Sequence, residues 1–232
     1  MIKLRSSDDR GRTKLTWLDS RHTFSFGDYY DPQHVGFGDL RVINEDRVVP
    51  GAGFPTHSHR DMEIVTYVLE GALAHKDSTG TSSVIRVGEV QLMSAGTGIS
   101  HSEYNASQTE PVHFLQIWII PNKTGLAPGY EQRAFPFDEQ RNNWTLIGSE
   151  AGRNGSVTVH QNLDIWAARF AAGAQASFRL KPSRHGFAHV ARGAVTFNGT
   201  TLKAGDGASV SEEEILEIRA VEAAELILFD LA

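Results

Sequence analysis

His57 and His59 stand two residues apart in Gly53-Phe-Pro-Thr-His-Ser-His-Arg-Asp-Met-Glu63, and His101 and Glu103 stand two apart in Met93-Ser-Ala-Gly-Thr-Gly-Ile-Ser-His-Ser-Glu103. On a β-strand, residues i and i+2 project from the same face, so each pair can aim two donors at one point. Two such strands facing each other inside a barrel would surround one ion with three imidazoles and one carboxylate. That mixed nitrogen and oxygen set suits a divalent first-row metal. A single His-x-His arises often by chance. Two pairs, each in strand-like sequence with glycine turns between them, carry far more weight.

The rest of the chain must supply those strands. It has 232 residues, with 22 Gly against only 3 Met, which indicates many turns and a β-rich fold. Strand-like runs fall at 41–44, 63–69, 73–75, 84–87, 90–93 and 113–120, and again at 157–160, 165–170, 176–180, 187–190, 194–197 and 224–230. Short strands at regular spacing point to a sandwich or barrel, not to a parallel α/β sheet. Between the two series, the Pro- and Gly-rich run 121–130 reads as a connector.

The two halves look like copies. Tyr67-Val-Leu-Glu-Gly71-Ala-Leu resembles His189-Val-Ala-Arg-Gly193-Ala-Val at an offset of 122, and Val87-Gly-Glu-Val90 resembles Ala204-Gly-Asp-Gly207. At that offset His57 and His59 fall on Arg179 and Lys181, and Glu63 falls on His185. The expectation is therefore one metal-binding β domain over 1–125, then a connector and a degenerate, metal-free one over 126–232.

Composition excludes several classes. A net charge of −6 gives no general nucleic-acid surface. The absence of cysteine excludes disulfides, Cys-held iron–sulfur clusters and a zinc-finger fold. No run approaches the ~18 apolar residues of a membrane span. The charged start, Met1-Ile-Lys-Leu-Arg, has no apolar leader core. A cytoplasmic protein is the expectation.

The spacings resemble the cupin pattern, a jelly-roll family. Gly51 precedes His57 by five intervening residues and three separate His59 from Glu63, but seven, not six, lead to Gly71. In the second motif Gly88, Gly96 and Asn105 fit, with Ser94 in place of Pro and four residues, not two, before His101. These departures have a resemblance of their own. The stretches His22-Thr-Phe-Ser-Phe26, Asp28-Tyr-Tyr-Asp-Pro32, Leu40-Arg-Val-Ile-Asn44, 57–71, 93–105 and Gln116-Ile-Trp118 resemble the pirin family over most of residues 17–121. The length and weak second half are similar to the bacterial pirin-like quercetin 2,3-dioxygenases.

That resemblance implies an all-β fold of two tandem cupin-type jelly-roll barrels, a bicupin with the second degenerate. It implies one divalent ion, Fe(II) first and other ions accepted, held by His57, His59, His101 and Glu103. The general cupin pattern would make Glu63 a ligand; the pirin resemblance makes Glu103 the carboxylate and Glu63 an acceptor that orients a ligand imidazole. The implied reaction is cleavage of a flavonol such as quercetin by O₂ with release of CO, with Glu103 as the base. The competing expectation is a non-catalytic metal protein that binds a protein partner and regulates it; a third is oxygen-independent isomerase or hydrolase chemistry. Phe24, Phe26, Phe54 and Trp118 either line a flat pocket above the ion or are ordinary core. His75 and His113 are expected to be structural, and His22, His34, His160, His185 and His189 have no evident partners.

Overall fold

A computed structural model describes residues 1–232. Its strands, in chain order, begin with β1 (Ile2–Arg5). Eleven follow: β2 (Gly11–Lys14), β3 (Leu18–His22), β4 (Leu40–Val48), β5 (Gly53–His59), β6 (Glu63–Glu70), β7 (Ala72–Asp77), β8 (Ser82–Arg86), β9 (Glu89–Ser94), β10 (Ile99–Asn105), β11 (Val112–Ile119) and β12 (Gly129–Ala134). The last ten are β13 (Thr145–Ser149), β14 (Val157–Thr158), β15 (Leu163–Phe170), β16 (Gln175–Arg179), β17 (His185–Arg192), β18 (Ala194–Phe197), β19 (Thr200–Lys203), β20 (Gly207–Val210), β21 (Ile215–Ala220) and β22 (Ala224–Leu231). The only helices are two short 3₁₀ turns, so no helix is long and apolar enough to cross a membrane.

The chain forms two compact units: Gly11–Phe135 with Val157–Gln161, and Met1–Arg10 with Pro136–Ser156 and Asn162–Ala232. These differ from a linear division into 1–125 and 126–232 for two visible reasons. β1 pairs with β20, Ile2 opposite Val210, and the end of the expected connector becomes β12, which pairs with β9.

In the first unit a sheet ordered β12-β9-β6-β11-β4-β3-β2 accompanies a smaller one ordered β5-β10-β7-β8. Leu18, Val48, Val68, Leu73, Ile85, Val112 and Phe114 form an apolar cluster from both sheets. In the second unit the orders β1-β20-β17-β22-β15-β13 and β16-β21-β18-β19 repeat the same plan. The chain is an all-β bicupin, as the sequence implied.

The repeat offset of 122 holds through β6 and β17 and through the turns that follow. Gly71 and Gly193 both take left-handed backbone, φ +72° and +71°. A Cβ there would lie 2.7 Å from the Pro111 carbonyl oxygen or 2.0 Å from that of Ala223, so only glycine fits either turn.

The offset fails inside β5. The pairs His101↔His57 and Glu103↔Phe54 require three steps on β5 against two on β10, so β5 carries one extra residue at Pro55–Thr56. This is a β-bulge on an edge strand, where proline is tolerated. β16 and β21 pair without a break, Phe178↔Leu216 and Ala176↔Ile218. The structural counterparts of His57 and His59 are therefore Phe178 and Leu180, not Arg179 and Lys181. Arg179 and Lys181 are exposed and pair with Glu214 and Asp164.

Candidate metal centre

β5 and β10 do not face each other across the barrel. They are hydrogen-bonded neighbours in the four-stranded sheet, with His101 directly opposite His57. Adjacent strands bring side chains on one face within about 5 Å, so the pairs still converge. The His57, His59 and His101 ring centroids lie 4.4 to 4.9 Å apart, and their ligand atoms all fall within 4.8 Å of one another. Glu103 does not join the three imidazoles at that spacing; it groups with His101 and His75.

Each donor is prepared by its surroundings. His57 Nδ1 donates to the Pro55 carbonyl at 2.8 Å, which leaves Nε2 with its lone pair. Burial and the neighbouring His57 imidazole lower His59 to about 4; burial and the neighbouring imidazoles lower His101 to about 3. Both rings are neutral at pH 7, the form that ligates metal. His59 Nε2 and both nitrogens of His101 are buried without a hydrogen-bond partner in the protein. Such orphans are costly unless something fills the space between them, and a cation suits convergent imidazole nitrogens. The donor set fits a divalent ion.

Glu103 is 1% exposed. Burial and the nearby Asp46 push its carboxyl up to about 8, against the pull of the Gln116 amide. It shares a cavity of about 320 Å³ with His57 and His59; Phe26, Phe54 and Trp118 form apolar walls. Phe24 is not among them and lies in the core at 4% exposure.

Glu63 is elsewhere. β6 turns Ile64 and Val68 into the apolar clusters, which puts Glu63 on the opposite face. There it accepts from Ser94 Oγ at 3.0 Å and from His160 Nδ1 at 3.1 Å and N at 3.2 Å. It orients no candidate ligand imidazole, and His160, which the sequence left without partners, is its partner. His113 pairs with Glu45 at 2.9 Å and His34 with Asp31 at 2.7 Å.

His75, read from the sequence as structural, stands beside the site. Its Nε2 bonds Asp77 Oδ2 at 2.9 Å, and it stands directly opposite Glu103 across β7 and β10. The His75-x-Asp77 spacing was the available signal, an i, i+2 pair of the same kind as the others.

Strand pairing also locates what replaces this set in the second unit. His57, His59, His101, Glu103 and His75 correspond to Phe178, Leu180, Leu216, Ile218 and Phe197, all part of one apolar core cluster. The fold thus closes with hydrocarbon at every one of these positions, so the histidines and the glutamate are not needed to make the barrel.

Known proteins resemble the chain along its whole length. The Pirin family signature matches residues 4–119 and that of the quercetinase C-terminal cupin domain residues 146–231. Quercetin 2,3-dioxygenase of Escherichia coli (strain K12) is 45% identical over 231 residues, covering 100% of this chain and 99% of that protein. The crystal structure of YhhW from Escherichia coli superposes with a TM-score of 0.96 at 45% identity, covering 100% of this chain and 98% of that one. Bacterial pirin YhhW in complex with nickel(II) superposes with a TM-score of 0.95 at 44% identity, covering 100% and 99%.

Proposed function

The chain belongs to the pirin family, and from that premise we propose that it is a mononuclear metal-dependent dioxygenase that cleaves flavonols such as quercetin with release of CO. The observation that carries the reading is the set of three convergent imidazoles, two of which, His57 and His59, line with Glu103 a cavity walled by aromatic side chains. We assign His57, His59, His101 and Glu103 as the residues that would hold the ion. Fe(II) is the native ion in this reading, and nickel, which a relative binds, fits the same donors.

When bound, a divalent cation would acidify the enolic hydroxyl of a flavonol and bring it together with O₂. The chain's own groups do the rest. Phe26, Phe54 and Trp118 hold a flat ring system and keep water from it. Glu103, whose carboxylate form a bound cation would favour, would accept the enol proton at a carboxylate oxygen. The Gln116 amide keeps that carboxylate oriented.

The test is metal analysis of the purified protein together with quercetin depletion in air and under argon. Depletion should require both metal and oxygen, and should vanish with chelator and in His59→Ala. Unchanged depletion in metal-free His59→Ala would rule the dioxygenase out.

A further inference from the structure

The cavity has a second polar feature besides the candidate ligands. Asp46, on β4 in the seven-stranded sheet, lines it and is only 4% exposed. Ser20, opposite it on β3, hydrogen-bonds its carboxyl. Its Oδ1 is buried with no partner in the protein. A buried carboxyl oxygen left unpaired is a standing cost, and on a residue that lines a cavity a ligand can relieve it by supplying the missing hydrogen bond.

The second unit shows that the barrel itself has no need of this group. Pairing through β11 and β22 makes Ala168 the counterpart of Asp46, Trp166 that of Asn44 and Leu228 that of Gln116. Ala168 and Leu228 are buried in the apolar core, with Trp166 packed against it. The carboxyl is therefore present for something the first barrel does and the second does not. Neighbouring groups are already occupied: His22 bonds Asn44 at 2.8 Å and Thr13 at 2.9 Å, and Gln116 bonds Glu103. Asp46 alone among them offers an unused oxygen.

We infer that Asp46 is a specificity residue whose Oδ1 hydrogen-bonds a phenolic hydroxyl of the substrate, so that the cavity selects polyhydroxylated flavonols over those with the enolic hydroxyl alone. The inference rests on the flavonol reading above. The candidate ligands come from the four-stranded sheet and Asp46 from the seven-stranded one, so a flat ligand between them is recognised from two walls.

The experiment is anaerobic calorimetric titration of nickel-loaded protein with quercetin and with 3-hydroxyflavone, which lacks the phenolic hydroxyls. Wild type should bind quercetin about tenfold more tightly, the worth of one buried hydrogen bond. Asp46→Ala should bring the ratio to about one by weakening quercetin alone, with nickel content unchanged, and Asp46→Asn should restore most of it. A ratio preserved in Asp46→Ala, or an equal loss for both ligands, overturns the inference. So does a wild type that binds both equally, which leaves the flavonol reading standing. A wild type that binds neither overturns both. If Asp46→Ala does not fold, Ser20→Ala loosens the carboxyl without deleting it, and an undiminished ratio there overturns the inference.

Discussion

Gln116 donates its side-chain amide to both carboxylate oxygens of Glu103, at 2.9 and 3.1 Å. The bond runs from the seven-stranded sheet to the four-stranded one. Trp118 Nε1 approaches Gln116 Oε1 at 3.4 Å and steadies the amide in turn. Partners of this kind around a metal ligand typically matter 10–100-fold in affinity. Gln116→Leu should weaken nickel binding by about that factor while the fold is kept. Calorimetry on the metal-free protein reads it directly, and equal affinity would mean that Glu103 needs no such support.

Glu103→Gln separates the two roles given to this carboxylate. It keeps the size and an oxygen donor but removes the charge and the base. Retention of part of the metal with loss of quercetin turnover is expected if Glu103 takes the enol proton. Parallel loss of metal and turnover would reduce it to a ligand alone.

The titratable groups of the cavity set a pH dependence for the metal-free protein. Folding holds His59 at about 4 and His101 at about 3, against 6.5 for a free imidazole. It lifts Asp46 to about 7 from 3.8 and Glu103 to about 8 from 4.5. At the histidines the folded state binds fewer protons than the unfolded one between about 3 and 6.5, so their contribution to stability falls as pH falls through that range. At the acids it binds more between about 4 and 8, so their contribution falls as pH rises. The two trends oppose each other between about 4.5 and 6.5. Above that only the acids act, and stability should drop towards pH 8; below about 4 only the histidines act, and it should drop again. Thermal melts across this range check the shape. Asp46→Asn should flatten the alkaline fall, and an unchanged slope would remove Asp46 from the account.

Glu63 is expected to be structural. It is 1% exposed and accepts three hydrogen bonds from Ser94 and His160. Glu63→Gln should cost about 1–3 kcal/mol of stability, because a buried charge-assisted network loses its charge. Nickel binding should stay at one ion per chain. Loss of nickel from a folded Glu63→Gln protein would return Glu63 to the ligand set.

Much of this centre was legible from spacing, because strand parity is rigid wherever pairing is regular. His101 and Glu103 share a face for that reason, and the glycine turns at 71 and 193 revealed the repeat because no other residue fits them. Parity misled where pairing is irregular or a strand changes sheet. The bulge at Pro55–Thr56 shifts the second-barrel counterparts of His57 and His59 by one residue, and a constant offset cannot register it. Glu63 has the parity of His57 and His59, but β6 belongs to a different sheet from β5. Asp46 gave no signal at all, since Asn44-Glu-Asp46 reads as solvated polar sequence and only tertiary closure buries it.

The second barrel supplies a control for what the site costs. Ile218 stands where Glu103 does and Leu228 where Gln116 does, both in the apolar core. Replacing Glu103 alone would leave the Gln116 amide buried and unpaired, so the two must change together. Glu103→Ile with Gln116→Leu exchanges a buried polar pair for hydrocarbon of a kind that an equivalent barrel already packs. Replacing both partners of a buried hydrogen bond by apolar groups of similar shape can be nearly neutral or stabilising. For a domain of this size each kcal/mol moves Tm by about 2–4 °C. The metal-free double variant should therefore melt at or above the wild-type temperature, and nickel should raise its Tm far less than it raises that of wild type. The single variants should each melt below the double one, since each strands a polar partner. A double variant that melts well below wild type would show that the Glu103–Gln116 pair contributes to the barrel itself, and that the polar interior is more than the cost of a functional site.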